Sequence, residues 1–343
     1  MHRITPGNGR SRAWRRIRSG LLAMLCLLLC ARPGAAPAAG PTLSFGVLPL
    51  GGALESREDW KPLLDDMGRA IGLQVVALSV TSYEGLLLAM QENRVDLAFV
   101  SGKLAVDAVL ENGMKVLAQV TRPDGLPGYR SVLLARRGGP VASLEDVLAR
   151  PGRWSLAHGE TQSMSGYVIP QLQLFTPRNI QIETHFRSET IDGHQGAALA
   201  VANGEVDVAT NNTADLERFA RRFPAEYARL RILWESDLIP HGAIVMRIGH
   251  SQELMDKVRA FLRDYGRGSG PAAQAQRAVL ARLHGLAGFL VADDRAMLPV
   301  LQLEYQLARR QAMTGQWVSE AARQARLARL QAEYEAQRQR LQK

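Results

Sequence analysis

Residues 88–98 read LAMQENRVDLA and residues 199–209 read LAVANGEVDVA, so one pattern occurs twice in the chain. Each copy predicts the end of a helix, a tight turn and a buried strand, because apolar residues at helical spacing give way to a short apolar run. The offset of 111 residues is far longer than the period of about 20 to 50 residues that marks repeat proteins. The copies therefore predict two similar α/β lobes, and a chance likeness between two helix–strand units is the alternative.

The residues around the first copy follow the same organisation. Short apolar runs at 43–48 and 73–80 alternate with amphipathic stretches at 60–71 and 84–91. Such alternation is typical of strands and helices that follow one another in an α/β fold. We therefore expect the α/β class.

The first forty residues predict an export signal. Several arginines precede the apolar stretch 21–30, and residues 36–38 (APA) offer small side chains for cleavage, as in secretory signals. We expect a signal peptide at 1–38 that is cleaved on export to the periplasm. The apolar stretch is too short for a membrane anchor. Cys26 and Cys30 both lie within it, so the mature protein should have no disulfide and no cysteine metal site.

The charge balance excludes a nucleic-acid partner. The formal net charge of +9 includes seven arginines in residues 1–40, which hold no acidic residue, so the remainder carries +2. Residues 301–343 hold eight basic and four acidic side chains and contribute +4, which leaves −2 for the body of the chain. This distribution lacks the basic excess that nucleic-acid binding requires.

Residues 163–167 (SMSGY) precede an apolar run, where a helix is predicted to begin. A helix start has backbone N–H groups without intrahelical partners and a partial positive charge, so it can hold a tetrahedral oxyanion without Lys or Arg. The hydroxyls of Ser163 and Ser165 add donors that rotate to suit the anion. The segment predicts an anion site, and a serine cap on an ordinary helix is the plainer alternative.

Two more candidate ligands precede the repeated pattern. Tyr83 stands five residues before Leu88, and His194 stands five residues before Leu199. Each is predicted at a helix N-terminus, and helix starts at the carboxyl ends of strands face the cleft in open α/β sheets. We expect both side chains to converge with the serines on one ligand, although a single Tyr or His more often has a structural role.

Four longer strings resemble a known family. They are WKPLLDDM at 60–67, PGYRSVL at 127–133, VDVATNNT at 206–213 and SDLIP at 236–240. Through them the chain, from about residue 43 to 303, resembles the periplasmic phosphonate-binding proteins of ABC importers, the PhnD-like family for phosphate, phosphite and phosphonate. The resemblance implies a two-lobed, type II periplasmic-binding-protein fold that closes on its ligand by a hinge.

The implied first lobe comprises residues 41–130 plus 240–300, the second lobe residues 131–239, and a helical tail residues 301–343. We expect the chain to cross between the lobes twice, near Tyr129 and near Ser236, where the hinge would lie. The implied partners are a small phosphonate-like oxyanion and the permease subunits in the inner membrane. No cofactor is implied.

The resemblance also implies which residues bind the ligand. The side chains implied to surround the phosphonate are Ser163, Ser165, Tyr83, Tyr129 and His194. Met164 stands where the family has Thr, which removes a hydroxyl and keeps the backbone N–H. Each lost hydrogen bond to a charged group costs roughly 1.5 to 3 kcal/mol if nothing replaces it.

The predicted pocket for the ligand's tail departs from the family pattern. Ala214 and Gly242 stand where members that bind aminoalkylphosphonates have carboxylates, and His241 precedes Gly242. Asp215 follows Ala214, but on a helix it should point about 100° away. Losing the buried partners of an ammonium costs on the order of 2 to 5 kcal/mol, so we expect that 2-aminoethylphosphonate is not preferred. His241 is expected either to contact an anionic or hydroxylated tail or to lie exposed at the rim.

An enzyme is the rival class. No Gly-x-Ser-x-Gly motif surrounds Ser163 or Ser165, no His-Glu-x-x-His pair occurs, and the chain has no Walker-type glycine-rich loop. We therefore expect no catalytic residue and no metal ligand. A receptor for phosphite, phosphate or a sulfonate, or a periplasmic sensor of the same fold, is the alternative, because a helix start cannot distinguish these tetrahedral anions.

Residues 317–343 predict a long helix at the C-terminus. Leu327, Leu330, Tyr334 and Leu341 follow a near-heptad spacing. Two heptads are too few to predict a coiled coil. Packing against the chain's own lobe and formation of a homodimer therefore stay open as alternatives.

Overall fold

The computed structural model describes residue 2 and residues 42–48, 53–283 and 285–343. Contacts separate a unit of residues 1–40 from a unit of residues 41–343, and the fold described below is that of the second unit. The predicted signal peptide lies outside the described residues, apart from His2.

The described residues form eleven strands in two sheets. In chain order the strands are β1 (Thr42–Val47), β2 (Gln74–Ser79), β3 (Leu97–Val100), β4 (Met114–Thr121), β5 (Gly128–Arg136), β6 (Ser155–His158), β7 (Ser188–Ile191), β8 (Val208–Asn212), β9 (Leu230–Pro240), β10 (Ala243–Arg247) and β11 (Gly288–Val291). The six-stranded sheet has the order β11-β4-β10-β3-β1-β2, and the five-stranded sheet has the order β7-β6-β8-β5-β9.

Twelve α-helices occur in the described ranges. They are α1 (Ala53–Ile71), α2 (Tyr83–Gln91), α3 (Gly102–Glu111), α4 (Leu144–Ala149), α5 (Ile182–His185), α6 (His194–Asn203), α7 (Thr213–Arg222), α8 (Pro224–Tyr227), α9 (Gln252–Asp264), α10 (Pro271–Arg282), α11 (Leu298–Thr314) and α12 (Glu320–Leu341). Two π-helical stretches, Met164–Val168 and Pro170–Phe175, and two 3₁₀ turns, Thr176–Arg178 and Asp294–Met297, complete the elements.

The two sheets share one plan. In the first, β1 runs parallel to β2 and β3, and β10 lies antiparallel between β3 and β4. In the second, β6 runs parallel to β7 and β8, and β5 lies antiparallel between β8 and β9. We call the six-stranded sheet with its helices the first lobe, and the five-stranded sheet with its helices the second lobe.

The chain passes between the sheets twice, at residues 122–127 and 241–242. The second passage lies a few residues beyond Ser236, which is still part of β9. The predicted fold class, a two-sheet α/β binding-protein fold with C-terminal helices, is confirmed. The lobe boundaries at residues 130 and 239 stay predictions.

The repeated sequence pattern corresponds to a repeated tertiary contact. Asp96 Oδ2 accepts hydrogen bonds from the backbone N of Ser44 at 2.8 Å and from its Oγ at 2.7 Å. Asp207 Oδ2 accepts the same two bonds from Ser155, at 2.9 and 2.8 Å. Both pairs are separated by 52 residues. In each lobe the aspartate directly before β3 or β8 thus bonds a serine on the parallel neighbour, β1 or β6.

The C-terminal helices pack against the chain's own body. Leu330 and Leu341 on α12 are buried, and Leu341 belongs to the apolar core around α3. The rings of Tyr305 on α11 and Tyr334 on α12 stack with centroids 4.5 Å apart. The helix begins at Glu320, where Ser319 Oγ accepts a hydrogen bond from Ala322 N at 3.1 Å, and not at residue 317. The apolar residues of α12 therefore pack against other helices of the same chain.

No described helix combines the length with the apolar composition that a membrane span requires.

A partly buried carboxylate between α11 and α3 makes stability depend on pH. Glu304 Oε2 lies 3.8 Å from Lys103 Nζ, and Glu304 Oε1 is buried with no hydrogen-bond partner among the described residues. Burial raises the pKa of Glu304 from 4.5 to about 8, although the Lys103 cation lowers it. The folded protein therefore holds a proton that the unfolded chain releases, so stability should fall as pH rises from 4.5 to about 8.

We expect Glu304→Gln to raise the melting temperature at a pH above 8 and to change it little at a pH near 5, because glutamine cannot ionise. Thermal unfolding at the two pH values measures the effect. Glu333→Gln, at an exposed position on α12, is the matched control and should give no pH-dependent gain. If Glu304→Gln changed the melting temperature equally at both pH values, the proposed ionisation of Glu304 between them would be contradicted.

Candidate functional site

A cavity lies between the two lobes, at the carboxyl ends of β1, β3 and β8. Together with the open solvent at its mouth, the space measures about 610 Å³. Residues of both lobes line it. They are Leu48, Tyr83, Phe99, Ser101, Val120, Arg122, Tyr129, Ser163, Met164, Ser165, His194, Asn212, Ala214, Asp215, His241, Gly242 and Leu286. All nine residues that the sequence singles out are among them.

The serine segment begins a helical stretch, as predicted, but the first turns are π-helical. Ser163 is the N-cap, and its Oγ accepts a hydrogen bond from Gly166 N at 3.0 Å. The plainer reading of a serine cap therefore also holds for Ser163. The backbone N–H groups of Met164 and Ser165 stand at the helix start, the position that lacks intrahelical partners. Burial raises the pKa of the Tyr83 phenol, and the neighbouring Ser163 offsets part of that rise.

A close backbone approach holds this helix start in place. Gly159 N donates to Gly166 O at 3.2 Å. A Cβ at Gly166 would lie 2.8 Å from Gly159 Cα and 2.7 Å from Ser163 Oγ. Only glycine therefore allows the end of β6 and the helix start to meet.

Ser165 is the centre of a polar network in the second lobe. Its Oγ lies 3.1 Å from His194 Nε2 and accepts a hydrogen bond from Asn212 Nδ2 at 3.2 Å. Burial raises the pKa of the nearby Tyr129 phenol, and Ser165 offsets part of that rise. Ser131 Oγ donates to the backbone carbonyl of Ser165 at 2.7 Å. These contacts fix the hydroxyl at the cavity wall.

The ring side chains of the cavity are neutral near pH 7. Burial, followed by the nearby Tyr129, raises the pKa of Tyr83, and burial together with Asp215 raises the pKa of Tyr129. Burial lowers the pKa of His194 below its ordinary value of 6.5, and the Asp215 carboxylate offsets part of that effect. The two phenols and the imidazole therefore act as neutral hydrogen-bonding groups.

Asp215 corrects the sequence prediction. The side chain was expected to point away from the site, but it lines the cavity. Its Oδ2 lies 3.9 Å from His194 Nε2 and accepts a hydrogen bond from Asn212 Nδ2 at 2.7 Å. Asn212 Oδ1 in turn caps α7 by accepting from Asp215 N at 2.8 Å. In this first turn the cavity wraps around the end of the helix, so Ala214 and Asp215 both reach it.

The tail end of the cavity contains His241, Gly242 and apolar walls. His241 is buried, contrary to the expectation of an exposed rim histidine, and its ring stacks on Tyr129 at a centroid distance of 6.0 Å. Its Nε2 lies 3.1 Å from Leu126 O. A Cβ at Gly242 would lie 2.6 Å from Val100 O. No carboxylate-bearing residue fits at position 242 unless Val100 and the end of β3 move.

Several lining residues were missed from the sequence. Arg122 follows β4 directly, Ser101 follows β3, and Asn212 ends β8. Their common signal is position, because ligand-binding residues of open α/β sheets cluster at the carboxyl ends of strands. The Arg122 side chain is buried and forms an ion pair with Glu217.

Polar contacts join the two lobes around the cavity. Arg218 on α7 pairs with Asp59 on α1 at 3.0 Å. Glu160 of the second lobe accepts hydrogen bonds from Tyr83 N at 3.0 Å and Glu84 N at 3.3 Å, where α2 of the first lobe begins. An acidic group is favourable at that helix end. The lobes are therefore in contact on more than one side of the cavity.

The chain matches proteins of known kinds. A family model described as the periplasmic substrate-binding protein of a phosphonate ABC transporter matches residues 45–297. The phosphonates-binding periplasmic protein of Escherichia coli (strain K12) is 35% identical over 261 residues, which cover 76% of this chain and 75% of that protein. A phosphate-import protein of Mycolicibacterium smegmatis is 24% identical over 230 residues, covering 64% and 70% of the two chains.

A solved structure also superimposes closely. It is a binding protein component of an ABC phosphonate transporter from Pseudomonas aeruginosa, with a TM-score of 0.82 and 32% identity. The match covers 88% of this chain and 98% of that one.

Proposed function

This chain belongs to the family of periplasmic substrate-binding proteins of ABC phosphonate transporters, and from that premise we propose that its cavity captures a phosphonate-like oxyanion and presents it to the permease. The family resemblance drawn from the sequence is thereby confirmed. Its members bind substrates for transport, so we propose no catalytic step for the cavity.

One observation carries the proposal: a serine-rich helix start, two tyrosines and a histidine from both lobes line a single cavity. We propose that Ser163 and Ser165 donate hydrogen bonds to the oxyanion, and that Met164 contributes its backbone N–H alone. Tyr83, Tyr129 and His194 would complete the shell. Neutral donors at a helix start hold an anion without a counter-ion, which suits a ligand that must later be released.

We propose that the ligand closes the lobes by bridging them. Tyr83 belongs to the first lobe, and Ser163, Ser165 and His194 belong to the second. The Arg218–Asp59 ion pair at 3.0 Å is a contact between the lobes that would break if they moved apart. The passages at 122–127 and 241–242 would then serve as the hinge.

We propose that the tail pocket does not favour 2-aminoethylphosphonate. Positions 214 and 242 carry no carboxylate, but Asp215 supplies one beside His194. The proposal therefore rests on the tail end, where Leu48, Phe99 and Val120 are apolar and no carboxylate-bearing residue fits at Gly242. An ammonium among these apolar walls would lose its hydration without a carboxylate at position 214 or 242 to replace it.

Phosphate is the second candidate ligand, because the relative from Mycolicibacterium smegmatis is a phosphate-import protein.

Family membership implies the periplasm, and we propose that residues 1–38 are the signal peptide that directs export. The contacts of Leu330 and Leu341 inside the chain favour a monomer over a homodimer through α12.

A thermal-shift panel tests the ligand class. We expect methylphosphonate to stabilise the mature protein strongly, since a ligand at 100 times its dissociation constant adds about 2.7 kcal/mol. Phosphite and phosphate are the competing arms, and 2-aminoethylphosphonate should give the smaller shift. Stabilisation by none of these phosphorus oxyanions would overturn the proposed function, and a larger shift with 2-aminoethylphosphonate would overturn the tail assignment.

A further inference from the structure

Asp215 introduces a carboxylate at the head of the cavity, among the very groups that the proposed function assigns to the oxyanion. Its Oδ2 lies 3.9 Å from His194 Nε2. The two N–H groups of Asn212 Nδ2 are divided between Asp215 Oδ2 at 2.7 Å and Ser165 Oγ at 3.2 Å. One amide group therefore bridges the Asp215 carboxylate and the Ser165 hydroxyl, and both residues line the same cavity.

An ionised carboxylate can only accept hydrogen bonds, and so can a fully ionised oxyanion. If the two meet without a proton between them, acceptor faces acceptor and like charge faces like charge. One proton removes both problems, because it turns the contact into a charge-assisted O–H···O hydrogen bond.

We propose that Asp215 makes the cavity select oxyanions that carry an ionisable proton, with one proton held between the Asp215 carboxylate and a ligand oxygen. This inference rests on the proposed function and adds the chemical class that the cavity accepts. Phosphonates, phosphite and phosphate bring such a proton near neutral pH. Alkylsulfonates have the same tetrahedral head and no such proton, so they are rejected although the helix start itself does not distinguish them.

The other groups near Asp215 do not supply this proton dependence. The titratable and charged side chains that face it or share a cavity with it are His194, Tyr83, Tyr129, Arg122, Arg218 and Arg222. Burial lowers the pKa of His194 and raises the pKa values of Tyr83 and Tyr129, so these rings stay neutral from about pH 7 to about pH 9. Arginine side chains stay cationic throughout. In that range the proton of the ligand is the one that titrates.

Calorimetric titration of methylphosphonate and methanesulfonate into the mature protein tests the inference. We expect methylphosphonate to bind at least about 100-fold more tightly near pH 7, since in the sulfonate complex two acceptors of like charge would face each other without a proton between them. Above the second ionisation of methylphosphonate, its affinity should fall about tenfold per pH unit, because only the protonated form binds. This profile needs no variant.

Asp215→Asn provides the second arm, because the asparagine amide can donate where the carboxylate could not. We expect this variant to lose the decline in methylphosphonate affinity with pH and to bind methanesulfonate within about tenfold of methylphosphonate. Asp237→Asn, an exposed position on β9, is the matched control and should behave as wild type.

The outcomes separate the two proposals. Equal binding of the two anions by the wild type, or methylphosphonate affinity that rises with pH, overturns the role of Asp215 and leaves the phosphonate site standing. A wild type that binds no phosphorus oxyanion overturns the proposed function and this inference together.

Discussion

Replacing Ser165 with alanine should weaken methylphosphonate binding by roughly 10- to 150-fold, the equivalent of the 1.5 to 3 kcal/mol typical of a hydrogen bond to a charged group. The Ser165 hydroxyl is the group on which the second-lobe network converges. His194 Nε2 lies 3.1 Å from it, and Asn212 Nδ2 donates to it at 3.2 Å. Its loss removes a donor to the ligand and also frees two neighbours that it holds in position.

Isothermal titration with methylphosphonate measures the loss, and thermal unfolding of the ligand-free variant checks that the fold survives. Ser188→Ala, at an exposed position on β7 of the same lobe, should leave the affinity unchanged. Ser163→Ala is less clean, because Ser163 also caps the helix start, and removing such a cap costs about 0.5 to 2 kcal/mol of stability. Unchanged affinity in Ser165→Ala would contradict its place in the site.

The fold class could be predicted from the sequence because the repeated helix–turn–strand pattern depends on residues that are close together in the chain. The repeated helix–turn–strand units at 88–98 and 199–209 correspond to α2 with β3 and to α6 with β8. The aspartate in each unit bonds a serine 52 residues away, a distance that local periodicity cannot reveal. The sequence thus predicted the units, and only the structure reveals how each unit is joined to its neighbouring strand.

Some residues of the site could also be predicted from the sequence, and others could not. Tyr83 and His194 follow from their position ahead of the repeat, and the serines from helix-start chemistry, whereas Tyr129 came from family resemblance alone. Asp215 was placed wrongly because a helical angle says nothing about how far a cavity extends around a helix end. The ion pair of Arg122 with Glu217 could not be foreseen, because Glu217 lies in the other lobe.

The π-helical start of the serine segment was also beyond the sequence. Tyr167 N and Val168 N both donate to the Ser163 carbonyl, at 3.0 and 3.1 Å. This crowding of donors widens the first turn, and π-helical turns occur often at functional sites. The backbone of Gly159 approaches Gly166 in the same turn, a contact that helical periodicity does not reveal.

The largest effect on stability is expected from Trp60→Ala, with a loss of about 3 to 5 kcal/mol in the free energy of unfolding. Trp60 on α1 is fully buried, and its ring centroid lies 5.1 Å from that of Phe45 and 5.2 Å from that of Phe99. Truncation would leave a cavity between α1 and the first sheet. Because Phe99 also lines the ligand cavity, methylphosphonate binding should weaken as well.

Trp60→Phe is the informative control, and urea unfolding compares the three proteins. The indole Nε1 of Trp60 is buried and has no hydrogen-bond partner among the described residues. Phenylalanine therefore removes an unsatisfied donor while it keeps an aromatic ring against Phe45 and Phe99, so part of the lost packing is offset. The loss in Trp60→Phe should stay below about 1.5 kcal/mol. A loss as large as that of Trp60→Ala would show that the indole N–H is satisfied and that polar bonding, not aromatic packing, holds α1 on the sheet.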